Sequence, residues 1–317
     1  MDKPLWKILL VDDDEDDYLL VREMLAEAHG AKVRLGWAST FIAGQYALNL
    51  EDFDAVLMDY DLGARTGLDL IRDAVARQVP YPIILLTGRG SYQVDVEAMQ
   101  AGATMYLTKS EANALLLERV IRYAIEMKQK EAALMRHAEL QSLLLEVTQK
   151  ILAAPADRAA MTRTIFETVR NHLDTDVLFN YQLTSPDGPL KLVAGYGIPE
   201  EMWEAAQELA LGQAFCGTVA ATRQPLAANA DRIASDEKGA FVHAMGVRAY
   251  ACHPLFSRDG RVLGTLSLCS RSRSRFEPDE LHFLQTLCHF VALAWDHSPE
   301  ETSASTAPPD SGTRGEK

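Results

Sequence analysis

Residues 8–18 read Ile-Leu-Leu-Val-Asp-Asp-Asp-Glu-Asp-Asp-Tyr, four apolar residues running straight into a block of acids. A short apolar run is the mark of a strand buried on both faces of a parallel sheet. The acids then fall at its carboxyl end, where open α/β sheets carry their working groups. The same rhythm recurs over the first 128 or so residues. Strands are expected at Lys7–Val11, Val33–Ala38, Ala55–Met58, Ile83–Thr87 and Met105–Thr108. Amphipathic helices are expected between and after them, at Asp16–Ala28, Phe41–Asn49, Gly67–Arg77, Tyr92–Ala101 and Ser110–Met127. Five such β-α units imply an α/β domain, a doubly wound five-stranded parallel sheet with helices on both faces.

Length and composition frame this reading. At 317 residues the chain has room for about two domains. It is 48% hydrophobic and 24% charged, as ordinary globular proteins are. A formal charge of −14 argues against nucleic acid or an anionic membrane surface as partner. No apolar run reaches the 18 or so residues of a membrane span, and the N-terminus reads as a strand, not a signal peptide. The cysteines, Cys216, Cys252, Cys269 and Cys288, form no C-x-x-C pair and read as reduced thiols of a cytoplasmic protein.

From Leu115 to Leu152 there is neither Gly nor Pro. Val120, Ala124, Met127, Glu131, Leu134 and Ala138 follow a four-and-three spacing, which then shifts to Leu140, Leu144, Val147 and Ile151. This predicts a long connecting helix with a stutter, either pairing with a second copy as a coiled coil or forming a solvated connector packed on its own domain. After a helix at Arg158–Leu173 the rhythm becomes antiparallel. Val177–Thr184 and Leu190–Gly195 flank Ser-Pro-Asp-Gly, and Ala249–Phe256 and Val262–Ser270 flank Ser-Arg-Asp-Gly. A last amphipathic helix runs from Pro278 to about Trp295. The expected division is 1–128 for the first domain, 129–156 for the connecting helix, and 157–297 for an α+β domain whose first helix begins as early as 140. The Ser-, Thr- and Pro-rich residues 298–317 are expected to be a disordered tail.

The strand tips carry the chemistry. Asp12 and Asp13 end the first strand, Asp59 the third, Thr87 the fourth and Lys109 the fifth. Carboxylates brought together repel unless a cation joins them, and magnesium suits hard oxygen donors. A hydroxyl and a lysine beside them can hold phosphate oxygens, so the set describes a site for a phosphoryl group on a carboxylate. Asp14, Asp16 and Asp17 read instead as a solvated acidic helix start, with Asp14 or a neighbour as its cap.

The segments ILLVDDDEDDY, VLMDYDLGARTGLDLI, PIILLTGRG and GATMYLTKS resemble the receiver domain of two-component response regulators over residues 5–127. The resemblance implies that Asp59 is the phosphoacceptor. It implies that Asp13 holds Mg2+ directly and Asp12 through water, joined by Asp59 and the backbone carbonyl of Asp61. Thr87 and Lys109 would bind the phosphoryl oxygens, and Tyr106 would be the aromatic that swings inward when Thr87 is engaged. Ser110 stands where the family usually has a proline after the lysine, often with a cis bond. A non-proline cis bond costs about 2.5–4 kcal/mol, so a trans loop is expected. Gly88 leaves access for a phosphodonor and for water.

The second half, with LGQAFCGTVAATRQPL, HAMGVRAYACHPLF and GRVLGTLSLCSRSRSRFEPDELHFL, resembles a GAF domain. The resemblance names no ligand. The positions that anchor a bilin in relatives are Glu237 and Lys238 here, so the usual Cys-His anchor is absent. Phe276, Asp279 and Glu280 are half of a cyclic-nucleotide pattern and equally suit a helix start. Cys252 and His253 are strand neighbours and point to opposite faces. Cys216 is either a thiolate near a helix N-terminus or a small buried hydrophobe.

The reading that follows is a cytoplasmic response regulator. It takes phosphate from a histidine kinase or histidine phosphotransfer protein and is no enzyme beyond Mg-dependent self-phosphotransfer and autodephosphorylation. Output is expected through the GAF-like domain by protein contact, with homodimerisation through the connecting helix. The alternative is a small-ligand or light sensor that uses the GAF-like pocket, with the receiver as regulator. A third reading, a fragment of a hybrid kinase, is opposed by the expected disordered tail.

Overall fold

The computed structural model describes residues 5–28, 32–88, 92–153 and 157–297. The expected tail at 298–317 lies outside the described residues. The chain divides into two compact units, residues 1–136 and 137–317.

The first unit is built from β1 (Leu5–Val11), α1 (Glu15–Glu27), β2 (Lys32–Ala38), α2 (Phe41–Leu50), β3 (Ala55–Asp59), a two-rung hairpin of β4 (Asp61–Leu62) and β5 (Arg65–Thr66), α3 (Gly67–Ala76), β6 (Ile83–Thr87), α4 (Tyr92–Ala101), β7 (Met105–Thr108) and the start of α5 (Ala114–Ala153). Five strands pair in parallel in the order β2-β1-β3-β6-β7. Every residue of β3 and β6 is buried, as their unbroken apolar runs require. Separate apolar clusters fill the two faces of the sheet, one around Val11, Met58 and Leu70, the other around Leu10, Leu57 and Ile121. The helix starts are capped locally. Asp14 accepts from the Asp16 amide at 2.8 Å, and Thr40 from the Ala43 amide at 3.1 Å.

The second unit receives the last turns of α5 and continues with α6 (Arg158–Val169), β8 (Val177–Leu183), β9 (Leu190–Tyr196), α7 (Trp203–Ala206), β10 (Glu208–Leu209), α8 (Ala214–Thr222), β11 (Leu226–Ala228), α9 (Ala230–Ser235), α10 (Ala240–Ala244), β12 (Ala249–Phe256), β13 (Val262–Ser270) and α11 (Pro278–His297). Six strands pair antiparallel in the order β10-β9-β8-β13-β12-β11. On one face pack α6, α11 and the end of α5, with Trp295 fully buried among them. On the other lie Phe179, Tyr181, Phe215 and Tyr250.

Part of the expected seam of α5 packs on the chain's own domains. α5 is one helix from Ala114 to Ala153. Yet Val120 and Ala124 are buried in the first unit's own core, and Leu144, Val147 and Ile151 pack on the core of the second. Apolar spacing announces a buried stripe but not what buries it. Here much of the stripe is claimed within the chain. Met127, Leu134, Leu145 and Leu152 are left exposed, the last two steps of the list being 11 and 7 residues.

Candidate functional site at the strand tips

The sheet order puts β1 between β2 and β3, and β6 beside β3, so the carboxyl ends of β1, β3 and β6 lie side by side. Asp12 follows β1 and is fully buried, and its amide donates to the Ala38 carbonyl at 3.2 Å. Asp59 ends β3 and is also buried. Asp13 is exposed at the rim. Carboxylate oxygens of Asp12, Asp13 and Asp59 all lie within 4.8 Å of one another.

Backbone amides brace two of these acids. The Asp14 amide donates to Asp12 Oδ1 at 3.0 Å, and the Asp61 amide to Asp59 Oδ2 at 2.8 Å. Burial nonetheless raises the pKa of both Asp12 and Asp59 above the ordinary carboxylate range, against the lowering effect of their hydrogen bonds to Lys109. Lys109 spans the cluster. Its Nζ lies 2.9 Å from Asp12 Oδ2, 2.6 Å from Asp59 Oδ1 and 2.5 Å from Asp17 Oδ2. Burial disfavours its charge, but hydrogen bonds to Asp17, Asp59 and Asp12 outweigh this and raise its pKa.

The contact to Asp17 corrects the sequence reading, which placed that residue on a solvated helix start. Helical spacing carries no trace of a partner 92 residues away. The trans loop after Lys109 is as expected: no cis peptide occurs among the described residues, and Lys109–Glu111 form a single 3₁₀ turn. Asp14 is the cap of α1, and Asp16 supplies the amide it binds.

Thr87 ends β6 and is buried. Gly88 is exposed, and a Cβ placed there would touch nothing within 4 Å. Tyr106 on β7 is exposed, and its interaction with the Asp95 carboxylate on α4 raises its pKa. Gly67 was not singled out from the sequence. A Cβ there would fall 2.0 Å from the Asp59 carbonyl oxygen, so α3 begins hard against the backbone of the buried acid. Trp37 was likewise missed. Its Nε1 donates to the Asp12 carbonyl at 2.8 Å, and its ring stacks on Tyr18.

Residues 8–121 match the family model of the response regulator receiver domain, and residues 157–295 that of the GAF domain. The chain carries a receiver domain followed by a GAF domain. Within the receiver domain it is 33% identical over 95 residues to the response regulator protein PmrA of Pseudomonas aeruginosa, covering 30% of this chain and 43% of that one. It is 34% identical over 116 residues to the transcriptional regulatory protein CpxR of Escherichia coli K12, covering 36% and 47%. The chain thus spans less than half the length of these curated relatives. Among solved structures, a CheY-like receiver domain from Methanospirillum hungatei is 28% identical with a TM-score of 0.36, covering 40% of this chain and 98% of that one. The GAF domain of an Acinetobacter phosphoenolpyruvate-protein phosphotransferase is 20% identical with a TM-score of 0.43, covering 50% and 94%. Receiver domains use Mg2+ at the aspartate cluster, and the donors fit: three carboxylates of hard oxygen type, close enough to share one ion.

In the GAF domain the space lined by Phe179, Tyr181, Phe215, Cys216 and Tyr250 is small, about 10 Å³. Cys216 is the third residue of α8 and is buried there, its Sγ 3.0 Å from the Tyr250 hydroxyl. Cys252 and His253 do face opposite ways. Cys252 packs with Tyr250 and Cys216, whereas His253 lines a shallow cleft of about 360 Å³ with His282 and His289 of α11. Glu280 is buried and takes Arg273 through both oxygens, at 2.7 and 2.6 Å, while accepting from the Glu277 amide. The Phe276–Glu280 pattern therefore serves as a helix start.

Proposed function

We propose that this chain is a phosphorelay response regulator whose receiver domain accepts a phosphoryl group on Asp59 from a histidine kinase or histidine phosphotransfer protein. The observation that supports this most is the convergence of Asp12, Asp13, Asp59 and Lys109 at adjoining strand tips, with Thr87 at the end of the next strand. In this reading a carboxylate oxygen of Asp59 attacks phosphorus in line, the bond from phosphorus to the donor nitrogen breaks, and an acyl phosphate forms. Water later takes the phosphoryl group and returns the carboxylate. Asp12, Asp13, Asp59 and the Asp61 carbonyl would hold Mg2+, which when bound supplies positive charge that offsets the phosphoryl oxygens. Lys109 and Thr87 bind those oxygens. Gly88 leaves the approach open.

Engaging Thr87 then draws Tyr106 inward from Asp95 and remodels the face made by α4, β7 and α5. Because α5 leads on into the GAF domain, the change passes along a helix. Output is protein contact, not nucleic-acid binding, and the chain works as a homodimer. The residues that support the dimer are Met127, Leu134, Leu145 and Leu152. At about 100° per residue, steps of 7 and 11 return to within about 20° of the same side, so the four make one exposed stripe. The sensor reading is the less supported, since the space beside Phe215 and Tyr250 holds about 10 Å³ and one water needs that much.

Incubation with acetyl phosphate and magnesium, followed by intact-mass measurement, tests the proposal. One phosphoryl group on the wild type and none on Asp59→Asn is expected. No addition to the wild type, or equal addition to both, refutes it.

A further inference from the structure

Lys109 has three carboxylate partners, and one of them stands apart from the converging acids. Asp17 lies in the first turns of α1, and its Oδ2 is nearer to Nζ, at 2.5 Å, than are Asp59 at 2.6 Å and Asp12 at 2.9 Å. Its side chain is about one-third exposed, at 30%, where those of Asp12 and Asp59 are buried. It does not belong to the group whose oxygens could share one ion. The backbone after Lys109 is a trans peptide entering a single 3₁₀ turn. Three carboxylates hold the ammonium in place.

A divalent cation entering between Asp12, Asp13 and Asp59 needs oxygens that the ammonium now uses. Two cations drawing on the same carboxylates a few ångströms apart repel strongly. Lysine is a point charge on a flexible stem and can pivot between acceptors. Asp17 offers it an acceptor at the rim, outside the metal's own ligand group.

We propose that Asp17 is a positioning residue for Lys109: it retains the ammonium at the rim when a divalent cation takes Asp12 and Asp59, and so keeps it within reach of a phosphoryl oxygen on Asp59. Only the last clause rests on the phosphoacceptor reading. Without Asp17 the ammonium collapses onto Asp12 and Asp59 and competes with the cation.

The test is a Mg2+ titration of the full chain followed by the change in tryptophan emission; among the chain's four tryptophans, Trp37 donates its indole N–H to the Asp12 carbonyl. Asp17→Asn is expected to weaken Mg2+ binding roughly tenfold, the scale of one charge-assisted hydrogen bond. In a Lys109→Met background the same change is expected to alter affinity less than about twofold, because the effect acts through the lysine. Asp17→Glu keeps the charge and is expected to restore most of the affinity. Unchanged binding by Asp17→Asn overturns the proposal. So does an equal loss in both backgrounds, which would make Asp17 a bystander charge. At saturating Mg2+, Asp17→Asn is also expected to take phosphate from acetyl phosphate several-fold more slowly, and an unchanged rate overturns the final clause. A wild type that takes no phosphate refutes the phosphoacceptor reading, while the titration still decides Asp17.

Discussion

Gly67 shows how closely single residues are fitted around the candidate phosphoacceptor. The first residue of α3 lies against the carbonyl of Asp59 and the side chain of Met58, leaving no room for a methyl group. Gly67→Ala must push α3 or the end of β3 aside. A loss of about 1–3 kcal/mol in urea unfolding is expected, with slower phosphorylation from acetyl phosphate. In the GAF domain His253 makes a separate prediction. Burial lowers its pKa to about 4. The unfolded chain binds that proton near pH 6.5, the folded chain only near pH 4, so the unfolded state is favoured as pH falls through this window. His253 should thus cost roughly 3 kcal/mol of stability between about pH 6.5 and 4, and none above it. Urea midpoints across that range should flatten in His253→Gln.

At the scale of elements, α5 and the α4–β7 pair carry the consequences. Among the described residues the stripe Met127, Leu134, Leu145 and Leu152 is exposed, unlike Val120, Ala124, Val147 and Ile151. A double change, Leu134→Glu with Leu145→Glu, should weaken self-association at least tenfold in sedimentation equilibrium, since each leucine buried at a dimer seam contributes about 1.5–3 kcal/mol. The fold of both domains should persist, because neither residue belongs to a core. The Asp95 carboxylate on α4 lies near enough to Tyr106 on β7 to raise its pKa. Asp95→Ala removes the acidic neighbour that favours the outward ring. Fluorine resonances of fluorotyrosine at position 106 should then shift toward the phosphorylated position before any phosphate is added. An unchanged spectrum would mean that packing alone sets the ring.

For the whole molecule, the two units have separate cores. Apolar clusters around Leu57 and Met58 lie in one and those around Trp295 and Phe179 in the other. A ligand that binds a folded unit stabilises that unit by mass action. Calorimetry should therefore resolve two transitions, with Mg2+ raising the midpoint of the receiver domain alone. At a concentration 100-fold above the dissociation constant the gain is about 2.7 kcal/mol. A single transition, or a shift of both, would show that the units unfold together.

The sequence by itself determined the layered architecture. Apolar runs such as Ile83–Leu86, short and bounded by turn residues, read as strands covered on both faces, and the Ser-Pro-Asp-Gly and Ser-Arg-Asp-Gly turns fold strands back on themselves. It also brought Asp12, Asp13, Asp59 and Thr87 to strand ends, since they follow or close such runs, and Lys109 to the end of the shorter strand Met105–Thr108. Short elements escaped it, among them the β4–β5 hairpin and β10, because two residues carry no period. Tertiary structure alone decided what each side chain meets. It gave Lys109 to Asp17, set Gly67 against Asp59, and turned half of an expected coiled-coil seam into two separate cores. Those outcomes depend on contacts between residues far apart in the chain, and local propensity and periodicity hold no record of them.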